Sequence, residues 1–248
     1  MQFFGQLESY PLPGYHHLFD LGDLIWLLVI FVGIISLVKL YMQQQHSGRR
    51  KMLLWLTGGL MAYRVVVLIS SILLHGFWVQ WIPLQICPLM MIVAFAYALK
   101  PNRFAGAVLF TMGVTSPALA ILFPDWLMAP YFNFYSIGSY ISHGILIAVV
   151  MMLLRSGEIH PKIQEIWMPM LFVFVGLPIV TFANHHLAMN FWMIAKPSIG
   201  SPLVGIYNQV GAEFYVPTLM LAEIIFWVLL YTFYNTNQNK IQVASPTE

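Results

Sequence analysis

The chain holds one thiol, Cys87, inside the apolar stretch WIPLQICPLMM at residues 81–91. A thiol becomes a nucleophile when a base within reach takes its proton. Of the eight histidines, His143 is the one at matching depth in an apolar run. Cys87 and His143 are therefore the smallest constellation able to form a thioester and pass the acyl group on. Two further ionisable residues sit at the centres of apolar runs, Arg64 and Glu223. An ionisable group in hydrocarbon is expensive and marks function by default. No Cys/His spacing of the metal-binding type occurs, and no Gly-rich phosphate loop follows a strand signal. No metal or soluble cofactor is implied, and no basic run interleaved with aromatics points to nucleic acid. A single cysteine excludes an intramolecular disulfide.

The elements that must carry these residues follow from composition. The 248 residues are 60% hydrophobic and 8% charged, with a mean hydropathy of +0.78. A soluble domain carries about 25% charged residues, so lipid is the expected solvent. Continuous apolar runs of about 20 residues indicate spanning helices, not the alternating strands of a barrel. Seven are predicted, over 24–42, 52–75, 81–99, 104–123, 132–154, 165–184 and 214–234. The expected fold is all-α, a polytopic membrane protein of seven transmembrane helices. Its parts are an extracytoplasmic interfacial segment (1–23), a seven-helix membrane domain (24–234) and a flexible cytoplasmic tail (235–248). The N-terminus lacks a basic residue before its first apolar run and a small-residue cleavage site, so it does not read as a signal peptide. Asp23 is the expected cap of the first helix. Lys39, Arg49, Arg50, Lys51, Lys100, Arg103, Arg155, Lys162 and Lys240 all fall on one side of this topology. The positive-inside rule then places the N-terminus outside and the C-terminus in the cytoplasm. The one long connection, 185–213, is expected to lie on the membrane surface or to fold back over the bundle.

Each polar group has two readings. Arg64 shares a face with Ser71 and His75. It either pairs with Glu223 to lock the bundle or meets an anionic group such as a lipid phosphate. His143 shares a face with Ser136, Ser139 and Tyr140, which either bond between helices or line a wet cleft that opens outward. Pro117 is expected to kink the fourth span, with Thr111 or Thr115 satisfying freed carbonyls and Gly106 and Gly113 allowing close approach. Cys87 is either a small buried hydrophobe or a thiol at a cavity wall, because Pro88 pushes the preceding residue away from helical angles.

WIPLQICPLMM resembles the Pro-Leu-His-Leu-Cys segment of the YwaF-like bacterial integral membrane proteins. GVTSPALAILFPDW resembles their Thr-Pro-Asp region, and FYSIGSYISHGILI their fifth span, ending in a histidine. NHHLAMNFWMIAKPSIGSPL is similar to their Asn-Tyr-Met…Lys-Pro outer segment, here Asn190, Phe191, Trp192, Lys196 and Pro197. The order and spacing of these pieces carry the resemblance. It implies a multi-pass protein of the bacterial plasma membrane, related to a eukaryotic seven-helix family that remodels ether phospholipids. In that family an acyl chain moves between phospholipids through a cysteine, with a histidine assisting. Carried onto this chain, the resemblance implies Cys87 as nucleophile and His143 as base, with a membrane phospholipid or lysophospholipid as partner. The histidine expected two residues before the cysteine is Gln85 here, which is left to orient the substrate or stabilise an oxyanion. Asn190 and Lys196 join Arg64, Glu223, Ser139 and Tyr140 as candidate substrate contacts. The alternative is a transporter or receptor-like protein whose midplane site uses Arg64, Glu223 and His143.

Overall fold

In a computed structural model, residues 3–5, 18–76, 79–124, 129–198 and 201–244 are described. They form seven α-helices: α1 (Leu21–Gln43), α2 (His46–His75), α3 (Ile86–Leu99), α4 (Arg103–Leu122), α5 (Phe134–Ser156), α6 (Trp167–Leu187) and α7 (Leu203–Ala244). Six are long and apolar enough to cross a membrane. The exception is α3, expected over 81–99, with only 14 residues. At the helical rise it is about 21 Å long, short of the roughly 30 Å hydrocarbon core. The cause is local. A 3-10 turn at Val79–Trp81 and an irregular stretch through Pro83 precede it, and Gln85 is its N-cap with extended φ/ψ. Most of the N-terminal segment, Asp125, Trp126 and the His75 side chain lie outside the described residues.

The start of α1 also differs from expectation. Asp20, not Asp23, is the cap, and its carboxylate accepts from the Asp23 N–H at 3.0 Å. Asp23 sits one turn on and accepts from the Phe19 N–H at 2.9 Å. Tyr131 donates to the Asp20 carboxylate, and burial together with that carboxylate pushes the phenol above its ordinary range. Gly22 leaves the room that the Tyr131 ring occupies. Residues 190–194 of the long connection fold back over the bundle, and the connection ends in helix at Leu203. Two helical pieces meet there at Gly211, whose φ of 75° favours glycine.

The packing centre is α4 and α5, the most buried helices. α5 packs against α1, α2, α3 and α4, and α4 against α3 and α6. Gly106 and Gly113 of α4 provide the expected close approach, since a Cβ would lie 3.1 Å from Ile159 or Val150. Thr111 bonds the carbonyls of Ala107 and Val108 in its own helix, whereas Thr115 has no hydrogen-bond partner. The connections α1–α2, α3–α4 and α5–α6 meet at one end. There Tyr41 donates to the Glu158 carboxylate (2.6 Å), Tyr97 to the Glu158 carbonyl (3.1 Å) and Arg50 to the Leu99 carbonyl (3.1 Å).

Where α1 crosses α5, a Cβ at Gly144 would sit 2.9 Å from Ile30 Cδ1. Gly144→Val is therefore expected to cost about 1–3 kcal/mol through overpacking. This is read as a lower midpoint in thermal denaturation of the detergent-solubilised protein. An unchanged midpoint would mean that α1 does not pack closely at this point.

Candidate functional site

Pro88 does not break a helix at Cys87, as the sequence suggested. Both residues lie in the first turn of α3. Leu84, whose carbonyl the proline ring would strike within a helix, is still outside it. A first turn tolerates proline because its N–H groups lack intrahelical partners anyway. The half-buried thiol thus stands at the positive end of a helix dipole. Cys87 Sγ lies 3.6 Å from Ser116 Oγ on α4, and Ser116 donates to the Met112 carbonyl at 2.7 Å. Ser116 carried no sequence signal beyond preceding Pro117.

Arg64, near the middle of α2, reaches the same region. One of its terminal nitrogens donates to the Trp81 carbonyl at 3.2 Å, and the guanidinium lies 6.0 Å from the Trp81 ring centroid. Trp81 stacks on Tyr135 at 4.9 Å. The guanidinium is within electrostatic range of both Cys87 and His143. Its Nε is buried without a hydrogen-bond partner. Leaving a charged donor buried and unpaired is costly, and the protein itself leaves this N–H unsatisfied.

His143, buried on α5, has its ring fixed by its own helix. Nδ1 lies 2.6 Å from the Ser139 carbonyl and 3.2 Å from Ser139 Oγ. A carbonyl only accepts, so Nδ1 carries the hydrogen. In the neutral ring Nε2 is then the acceptor nitrogen.

The remaining candidates separate. Tyr140 does not join His143. It is fully buried against α1, donates to Asp23 Oδ1 at 2.8 Å and stacks on Trp26 at 5.0 Å. Ser136 is buried, and its hydroxyl has no partner. Gln85 Oε1 accepts from the Trp192 backbone N–H at 2.9 Å, and the Trp192 indole donates to the Leu84 carbonyl at 2.7 Å. Asn190 accepts from the Ala195 and Lys196 N–H groups and donates to the Lys196 carbonyl at 2.7 Å. Asn184 grips Phe191 in the same way. The Lys196 side chain is exposed. Asn190 and Gln85 thus shape and fasten the 190–196 segment at the start of α3. Glu223 lies between α6 and α7, and among the described residues no charged group is in its reach, so the Arg64–Glu223 pair expected as a lock is not formed. Among the described residues, no cluster of His, Cys, Asp or Glu could hold a metal ion.

Gln85→Ala removes the acceptor for the Trp192 N–H, a loss of about 1–2 kcal/mol at that attachment. Residues 188–197 should then exchange amide hydrogens faster. Equal protection in both proteins would show that this segment is held by other contacts.

The arrangement is three groups from three mutually packed helices, near a helix N-terminus in a membrane bundle. No curated protein and no solved structure matches the chain. The sequence profile of the TMEM164 family matches residues 15–231. That span takes in α1 to α6 whole and most of α7, with every group described above: the chain is a multi-pass membrane protein that belongs to the TMEM164 family.

Proposed function

We propose that this protein is a membrane-embedded phospholipid acyltransferase that carries the acyl group as a thioester on Cys87. The observation that supports it is the buried, unpartnered Nε–H of Arg64 in the field shared by the only thiol and an imidazole whose Nδ1–H is fixed. In the proposed sequence His143 Nε2 takes the thiol proton, and sulfur attacks the ester carbon of a phospholipid. Arg64 and the first turn of α3 meet the oxygen on which negative charge develops. The intermediate collapses, the lysolipid oxygen leaves with the proton from His143, and the acyl group stays on sulfur. A second lysolipid hydroxyl then attacks the thioester, gives its proton to His143, and the thiolate returns. Gln85 serves by holding the outer segment, and Ser139 by orienting the imidazole. The transport or receptor reading, which rests on Arg64, Glu223 and His143 in one midplane site, is not developed because no observation favours it over the thioester.

The gathering of basic turns at one end supports the topology proposed with it, N-terminus outside and C-terminus in the cytoplasm. The resemblance to bacterial proteins supports a bacterial plasma membrane.

Intact mass spectrometry of protein from its native membrane tests the thioester. A fatty-acyl mass is expected that hydroxylamine removes and Cys87→Ala lacks. It should leave the protein when lysolipid is added. No adduct after incubation with phospholipid, or one that lysolipid cannot discharge, would sink the proposal.

A further inference from the structure

Between α6 and α7 runs a slot of about 360 Å³, lined by Trp167, Met170, Val173 and Phe174 on one side and Met220, Glu223 and Trp227 on the other. That volume lies within the range of small-ligand sites. Its outer lip is formed by side chains that face the surroundings of the bundle, with Phe174 73% and Trp167 54% exposed. In a membrane those surroundings are hydrocarbon, so the slot opens sideways into lipid.

A second cavity of about 60 Å³ shares Val173, Met220 and Glu223 with the first. It continues past Leu177 to Ile86, Met112 and Trp192. Ile86 opens the first turn of α3 beside Cys87, and the Met112 carbonyl holds Ser116, the residue the thiol meets. Side by side across these three side chains, the two cavities mark one path from the start of α6 to the neighbourhood of the thiol. From Trp167 to Leu177 it follows α6 for about 15 Å.

We propose that this path holds one acyl chain of a membrane lipid, which enters sideways between α6 and α7 with its ester end toward the first turn of α3. The assignment of the ester end rests on the acyltransferase reading; occupation by a chain does not. Three observations select the occupant. The lining is apolar except for Glu223, at the junction of the two cavities. The mouth faces lipid. The path is also too small for a helix, which is about 10–12 Å across with its side chains. An unfilled slot would forfeit the dispersion contacts of its walls, whereas a flexible hydrocarbon chain restores them.

The test uses the full-length protein in phosphatidylethanolamine–phosphatidylglycerol vesicles. These contain a phospholipid with a diazirine on its acyl chain, and labelled peptides are mapped after irradiation. Label is expected on the peptides carrying Val173–Phe174 and Met220–Ile224, about tenfold above the lipid-facing Leu28–Phe31 stretch of α1, a difference of about 1.4 kcal/mol in occupancy. Met220→Trp, which fills the junction, should bring it down to the α1 level, and Phe31→Trp should leave it unchanged. Met220→Phe repeats the test with a smaller ring should the tryptophan variant fail to fold as judged by size exclusion. Even labelling of α1 and α6 overturns the proposal, as does slot labelling that survives both Met220 variants. Slot label that is lost as the protein-to-lipid ratio is raised would mean that a second chain, not a lipid, fills it. Because labelling needs no turnover, specific label without acyl transfer would uphold the slot and sink the acyltransferase. Transfer with even labelling would do the reverse.

Discussion

If Cys87 carries the acyl group as proposed, Cys87→Ala is expected to lose acyl transfer by about a thousandfold or more, while its folded yield and thermal midpoint stay with the parent protein. The stability half of this expectation comes from the packing. The side chain is half-buried and makes a long 3.6 Å contact with Ser116, whose hydroxyl keeps its own 2.7 Å bond to Met112. Alanine therefore opens little space and leaves Ser116 partnered. The activity half comes from the chemistry. Without sulfur no thioester forms, and whatever transfer persists reflects binding alone. Cys87→Ser should be nearly as inactive, because a hydroxyl is a far weaker nucleophile at neutral pH than a thiol. His143→Ala should lose a comparable factor. Removing both should cost no more than removing either, since residues that act as a unit are not additive. Transfer between a labelled phospholipid and a lysophospholipid in reconstituted vesicles measures all four. A serine variant with parent activity would eliminate the thioester route.

Asp23→Ala lowers stability by about 2–4 kcal/mol. Asp23 is fully buried and accepts from the Tyr140 hydroxyl and the Phe19 N–H. Its carboxylate also lies in the first turn of α1, at the positive end of the dipole. Alanine removes the carboxylate to which the buried Tyr140 phenol donates and gives up the dipole interaction. Tyr140→Phe removes only the donor and should cost about 1–2 kcal/mol. The ring stays stacked on Trp26, whose plane it matches to within 2°. The double variant should fall short of the sum, because the two changes delete one shared bond. Thermal midpoints of the three variants in one detergent measure this. Full additivity would mean that Asp23 and Tyr140 stabilise the α1–α5 contact separately.

Helices and solvent were legible in the residues because both are local properties. Run length and hydropathy are enough to tell a lipid-embedded helix from a strand, and six of the predicted spans are membrane-length helices whose bounds shift mainly at their ends. The glycines of α4 are where the predicted close approach happens, because a missing side chain matters wherever the neighbour comes from. The start of α3 was misread: a span from residue 81 put Pro88 inside a helix, whereas the helix starts at Ile86 and leaves Pro88 in its first turn, where proline is tolerated.

What periodicity leaves open is which neighbour a face meets. Ser139, Tyr140 and His143 share one stripe of α5 on paper. The tertiary structure turns Tyr140 to α1 and keeps Ser139 with His143, because four helices surround α5 and divide its surface among them. Arg64 and Glu223 stood at matching depth, which suggested a pair. Depth alone says nothing of position around the bundle, and Glu223 came to rest between α6 and α7. The partners that surround the thiol region, Ser116 for Cys87, Trp81 for Arg64 and Trp192 for Gln85, come from 17 to 107 residues away in the chain. Such contacts depend on how helices pack in three dimensions. The residue types that could do chemistry were determined by the sequence, and which of them can act together was decided by the fold.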